Sequence, residues 1–198
     1  MRVPMLALCA VSLGGCFSIP QPSMDQWRQA QQRHFDHITT PEFEAALQRV
    51  FSASVPGGYS VRPAPGGAIA ERNYDDFAML AVARGLERWQ ITYAAKGDDI
   101  DAHADVVNIP GQSFPADINV QIRPDTPATY ELFWQRLGYV LNARKEWPTC
   151  RDYAASLRFK SKDPIQSWGL CGTGSSDVPP QKISQPPASA ARKAFPTL

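Results

Sequence analysis

The chain has 198 residues, with Lys plus Arg at 20 and Asp plus Glu at 19. That length suits one domain of ordinary size, and the apolar fraction of 43% is that of a globular protein. A formal net charge of +1 without a basic run gives no electrostatic footprint for nucleic acid, so no nucleic-acid partner is expected. Of the eighteen prolines, seven cluster at positions 20 to 22 and 179 to 196, where they mark extended chain rather than core.

In chain order, Arg2 supplies a positive start and Val3 to Leu13 an apolar run broken by Pro4 and Ser12. The run is shorter than the roughly 20 apolar residues a membrane span requires, and it reads as an export signal over 1–15. It ends Leu13-Gly14-Gly15-Cys16. This stretch resembles the lipobox of bacterial lipoproteins, in which an aliphatic residue and two small residues precede a cysteine. The resemblance implies cleavage before Cys16, a thioether-linked diacylglyceryl group on its sulfur and acylation, typically with palmitate, of the new amino terminus. Two or three chains would make a stable anchor at about 0.8 kcal/mol per buried methylene. Phe17 stands where inner-membrane lipoproteins often carry Asp, so the resemblance places the protein at the outer membrane, facing the periplasm.

Residues 16–25 are rich in proline and small polar residues and read as a tether; a single domain is expected over 26–172. Asp25 is positioned to cap a polar helix through DQWRQAQQRHFDHI. A clearer helix follows in TTPEFEAALQRVFSA, with Thr39 or Thr40 as N-cap, Pro41 in the first turn and Glu42 three residues after Thr39. Phe43, Ala46, Leu47, Val50 and Phe51 fall on one face of it. From Tyr59 the period changes: PAPGG and KGDD separate short alternating runs, as hairpin turns do. Residues 77–85 fit either a buried strand or a short helix. Ile118, Val120 and Ile122 alternate in ADINVQIR, as on a strand.

A second amphipathic helix is predicted after Thr126 as N-cap and Pro127 as N1, with Tyr130, Phe133, Trp134, Leu137, Val140 and Leu141 on its apolar side. The order gives an α+β fold: an antiparallel β-meander covered on one face by two amphipathic helices. It loosely resembles small α+β domains of periplasmic lipoproteins, in architecture only. With Cys9 removed in the signal and Cys16 taken by lipid, Cys150 and Cys171 remain; in an oxidising compartment they are expected to form a disulfide closing a C-terminal lobe. Residues 173–198 read as a disordered tail rich in Pro and Ser.

Signatures for a serine or cysteine nucleophile, a phosphate-binding loop or a dinucleotide site are absent, so an enzyme is not the favoured reading and no cofactor is expected. Two histidine constellations offer metal or acid-base chemistry. Asp101, His103 and Asp105 would share one face of a strand, but same-face neighbours stand about 6.6 Å apart and converge poorly on one ion. His34 and His37, three apart, could face one way on a helix but lack a third ligand in sequence. The more economical reading of both is a solvated surface. Trp134, Trp147 and Trp168 could be interface anchors or core. The favoured function is a protein-binding or assembly module, anchored through Cys16. The alternatives are a periplasmic enzyme or metal-binding protein using Asp101, His103 and Asp105, and a small-ligand carrier with its groove between helices and sheet.

Overall fold

A computed structural model describes residues 22–78, 81–111, 121–124, 126–157, 169–172 and 174–184, without the side chains of 76–78, 81–83 and 155–157. In chain order it contains α1 (Met24–Gln31), β1 (Gln32–Phe35), α2 (Thr40–Ser54), β2 (Ser60–Ala64), β3 (Gly67–Ala78), β4 (Ala81–Lys96), β5 (Asp99–Pro110), α3 (Ala128–Val140), α4 (Cys150–Leu157) and a 3-10 turn at Gly169–Cys171. The strands form one antiparallel sheet in the order β1-β5-β4-β3-β2. The expected α+β architecture is thus present, with helices on one face of a meander, and Cys150 and Cys171 are disulfide-bonded.

Local chemistry accounts for most element boundaries. At the start of α2 the Glu42 carboxylate accepts from the Thr39 N–H (2.9 Å) and hydroxyl (2.7 Å), which covers donors the first helical turn leaves unpaired. Gly66 and Gly97 turn the β2–β3 and β4–β5 hairpins at φ of 70° and 65°, a left-handed conformation that costs glycine nothing. Of the segment at 77–85, residues 77–78 end β3 and 81–85 begin β4, while 79–80 lie outside the described residues. Arg84 and Gly85 pair with Asp75 and Tyr74 in the β3–β4 ladder, so cross-strand bonds decide what periodicity left open.

Alternation along the strands sends one set of side chains inward. Ala68, Ala70, Trp89, Ile91, Ile100, Ala102, Ala104 and Val106 are buried under α2 and α3. From the helices, Phe43, Leu47, Val50, Phe51, Phe133 and Leu137 are wholly buried against them, each worth about 1.5 to 3 kcal/mol of apolar transfer. The Trp89 and Phe133 rings stack at 5.0 Å and Phe51 meets Phe133 at 5.6 Å, so aromatic rings fill the space between helices and sheet. Trp134 (2% exposed) donates its N–H to the Ala30 carbonyl, and Trp147 is also buried, so neither is a surface anchor. Trp168 lies outside the described residues.

Three expectations are corrected. The first helix is capped by Ser23 rather than Asp25, through a reciprocal pair with Gln26, and it ends at Gln31. The following QRHF pairs with β5 instead, because Phe35 then buries beside Ile100, a gain the polar helix could not offer. The C-terminal segment is not free throughout: residues 174–184 form a strap across the helices. Arg49 of α2 donates to the Gln181 and Lys182 carbonyls, Ile183 N–H to Val140, and Asn142 to the Ile183 carbonyl. The cap of α3 falls on Pro127, while the Thr126 hydroxyl still accepts from the Ala128 N–H (3.3 Å). Of the predicted strand at ADINVQIR, 116–120 lie outside the described residues, and Ile122 makes an isolated bridge to Asn108.

Candidate functional site

Among the described residues, no helix lies over the sheet face turned away from α2 and α3. Register places its residues in rows: Arg62, Ile69, Gln90 and Asp105 in one, and Gly67, Thr92, His103 and Gln32 in the next. Beyond them lie Ala94, Asp101 and His34. Where β1, β5 and β4 meet, this face carries an open groove of about 570 Å³, lined chiefly by Gln32, His34, Thr92, Asp101 and His103.

The two constellations expected from sequence are each split, and one member of each joins the other. His34 stands on β1 opposite Asp101 of β5, and its Nδ1 lies 2.7 Å from the Asp101 carboxylate. Its Nε2 lies 3.0 Å from Asp36 and 4.0 Å from Asp99. Lys96 pairs with the other Asp101 oxygen. The hydrogen bond to the Asp101 carboxylate, reinforced by the charges of Asp101 and Asp36, raises the His34 pKa above 6.5. Lys96 first, then His34, holds the Asp101 carboxyl below the usual 3.8. Both ring nitrogens of His34 therefore face carboxylates, which favours the protonated ring.

That geometry decides the chemistry. Ligand atoms of His34, Asp36 and Asp99 lie within 4.8 Å of one another, close enough to share a cation. Yet Nδ1 and Nε2 of His34 both lie within hydrogen-bond distance of carboxylates, so a cation would have to displace one of those contacts. The cluster instead fastens the short strand β1 to β5. His37 departs altogether: it sits in the turn after β1 at φ 55°, and its backbone N–H donates to Asp99 (3.0 Å).

His103 projects into the groove between Thr92 and Gln32. Asp105 reaches over the free edge of β5, where it accepts from Tyr130 (3.1 Å), Arg123 (3.2 Å) and Gln31 (3.3 Å). Burial, with Asp105 close by, pushes the Tyr130 phenol up to about 12, so it stays a neutral donor. Its oxygen also accepts from the Val106 N–H (3.4 Å), a group that β1 is too short to pair. Asp101, His103 and Asp105 thus face three different sets of neighbours and do not form a joint catalytic or metal centre. Cys16 lies outside the described residues.

Sequence reasoning missed the buried charges. Glu87, 2% exposed, accepts from Tyr59 (2.6 Å), Trp89 (2.6 Å) and Arg72 (3.3 Å) on the inner face. The Tyr59 phenol is driven well above its usual pKa by burial and the Glu87 charge. Strand parity carried the signal, since Glu87 shares its face with Trp89 and Ile91. Arg136, wholly buried on α3, donates to Pro148, Ser54, Leu170 and Asp177. These groups tie α2, α3 and the disulfide lobe together.

The fold and its groove define a class: a one-sided α+β domain with a disulfide-closed lobe and a polar, open sheet surface. No protein-family model, curated protein or solved structure gives a significant match to this chain.

Proposed function

We propose that this is a lipid-anchored protein of the bacterial cell envelope, held at the outer membrane through Cys16, whose domain binds another protein on its open sheet face. The observation that carries the binding reading is the bare face itself, with its groove along Gln32, Thr92 and His103. An open groove of this kind suits an extended or flat protein surface better than a small molecule, which needs most of its own surface enclosed. The aromatic filling between helices and sheet weighs against a small-ligand carrier, and the divergence of Asp101, His103 and Asp105 weighs against an enzyme built on them. The anchor rests on the Leu13-Gly14-Gly15-Cys16 sequence.

A photoreactive amino acid at Thr92 tests the binding face in living cells, with Arg28 on the exposed side of α1 as the comparison position. Crosslinks from Thr92 and none from Arg28 are expected; equal crosslinking from both would sink the reading. For the anchor, Cys16→Ser should lose incorporation of a labelled fatty acid and leave the membrane fraction. Retention of label by that variant would overturn it.

A further inference from the structure

Beneath the C-terminal lobe lies a second polar cluster that the open face does not use. Arg136 is wholly buried, yet the carboxylate it pairs with, Asp177, is 44% exposed and stands 3.4 Å from Nη2. Its Nε and Nη1 are spent on neutral oxygens of Pro148, Ser54 and Leu170, and its plane lies over the Trp147 ring at 4.7 Å. A buried cation with one half-solvated counter-ion is under-compensated. The remaining neighbour of Nη2 is the disulfide: Cys150 Sγ at 3.2 Å and Cys171 Sγ at 3.9 Å.

Cys150 is also the first residue of α4, whose cap is formed by Thr149 and Asp152. The partial positive charge of the helix start therefore falls on it, and the Ser175 hydroxyl lies 3.9 Å from its sulfur. In a disulfide this sulfur is a weak neutral acceptor; as a thiolate it would be the second counter-ion Arg136 lacks. We propose that Cys150–Cys171 is a reversible thiol–disulfide couple, with Cys150 as the thiolate held by Arg136 and a dithiol as its co-substrate.

In the reductive direction a thiolate of the dithiol attacks Cys171 Sγ, the S–S bond breaks, and its electron pair leaves on Cys150. The mixed disulfide on Cys171 is then attacked by the second thiol of the reductant, which departs as a disulfide. Cys171 takes up a proton and the other goes to solvent. Two electrons pass from dithiol to protein. The asymmetry follows from geometry, since the sulfur nearer the guanidinium and the helix start is the better leaving group. Other charges around it are Asp177 on the strap, Arg151 and Asp152 on α4 itself, and Glu87 behind Gly169, paired with Arg72. Of these Asp177 opposes the thiolate most directly, because its carboxylate also accepts the Cys150 N–H at 2.6 Å.

The test uses the full chain, reduced with dithiothreitol and alkylated with iodoacetamide across a pH series, with the peptides of Cys150 and Cys171 quantified separately. The Cys150 midpoint should lie about one pH unit or more below the ordinary thiol value of about 8.5, and below that of Cys171, while far-UV circular dichroism stays unchanged. A Cys150 midpoint at or above the ordinary value, or loss of the dichroism signal on reduction, overturns the proposal. Asp177→Asn removes the opposing charge from an exposed position and keeps an acceptor. It should speed Cys150 alkylation at neutral pH about two-fold or more; no change, or slowing, also overturns the proposal.

Discussion

His34 and Glu87 show how differently one carboxylate contact behaves at the surface and in the core. His34 is exposed, and its raised pKa comes first from the hydrogen bond to Asp101. Because the folded-state value is raised, the stabilisation is complete below about pH 6.5, the unfolded value, and is lost as pH rises through the folded one. An NMR titration of the His34 ring should give a midpoint above 6.5, and Asp101→Asn should move it back towards that value. Glu87 is buried, and its loss is a matter of stability. Glu87→Gln leaves Arg72, 9% exposed, without a counter-ion and should cost about 3 kcal/mol in urea unfolding. Adding Arg72→Met should recover part of that loss, since the stranded cation is then removed with its partner.

At the scale of elements, what could be read from sequence was what neighbouring residues decide among themselves. The α2 stripe Phe43 to Phe51 and the α3 stripe Tyr130 to Leu141 lie where their spacing puts them, and the glycine turns at 66 and 97 set their hairpins. Elements decided by distant partners were not readable. Gln32–Phe35 becomes a strand because of Ile100–His103, and nothing within QRHF announces that partner. The strap is the same case: proline-rich composition describes the chain before it docks, not the carbonyls that Arg49 and Asn142 hold once it has. Lys182 further donates to the Arg144 carbonyl (2.8 Å) and lies over the Tyr139 ring at 4.4 Å. Tryptic cleavage after Lys182 should therefore be slow in the native protein and several-fold faster in Arg49→Ala, as read by mass spectrometry of timed digests.

For the molecule as a whole, the sheet joins two kinds of pairing. Strands β2 to β5 follow one another closely in sequence, whereas β1 meets β5 through residues such as His34 and Asp101 that stand 67 positions apart. Closing that long loop costs entropy before the contact repays it, so the meander should assemble first and β1 later. Phe35→Leu should then mainly speed unfolding, while Ile91→Val at the centre of the meander should slow folding; stopped-flow chevrons separate the two. The candidate site inherits this division. His103 and Asp101 were visible as polar positions of an alternating strand, but the groove exists only because β1 arrives, and with it His34 and Gln32.

The Ser23 cap has a consequence for reach. It fixes the start of the fold seven residues after Cys16, and fully extended chain of that length spans about 25 Å. Should Cys16 carry the lipid, this leash keeps the start of α1 within about 25 Å of the bilayer. From β1, which follows α1, the opposite edge, β2, stands four strand spacings away, about 19 Å. The groove lies at the near edge. Its partner would then be met within that reach of the membrane, where a protein fixed in the same leaflet has the advantage over one that diffuses past.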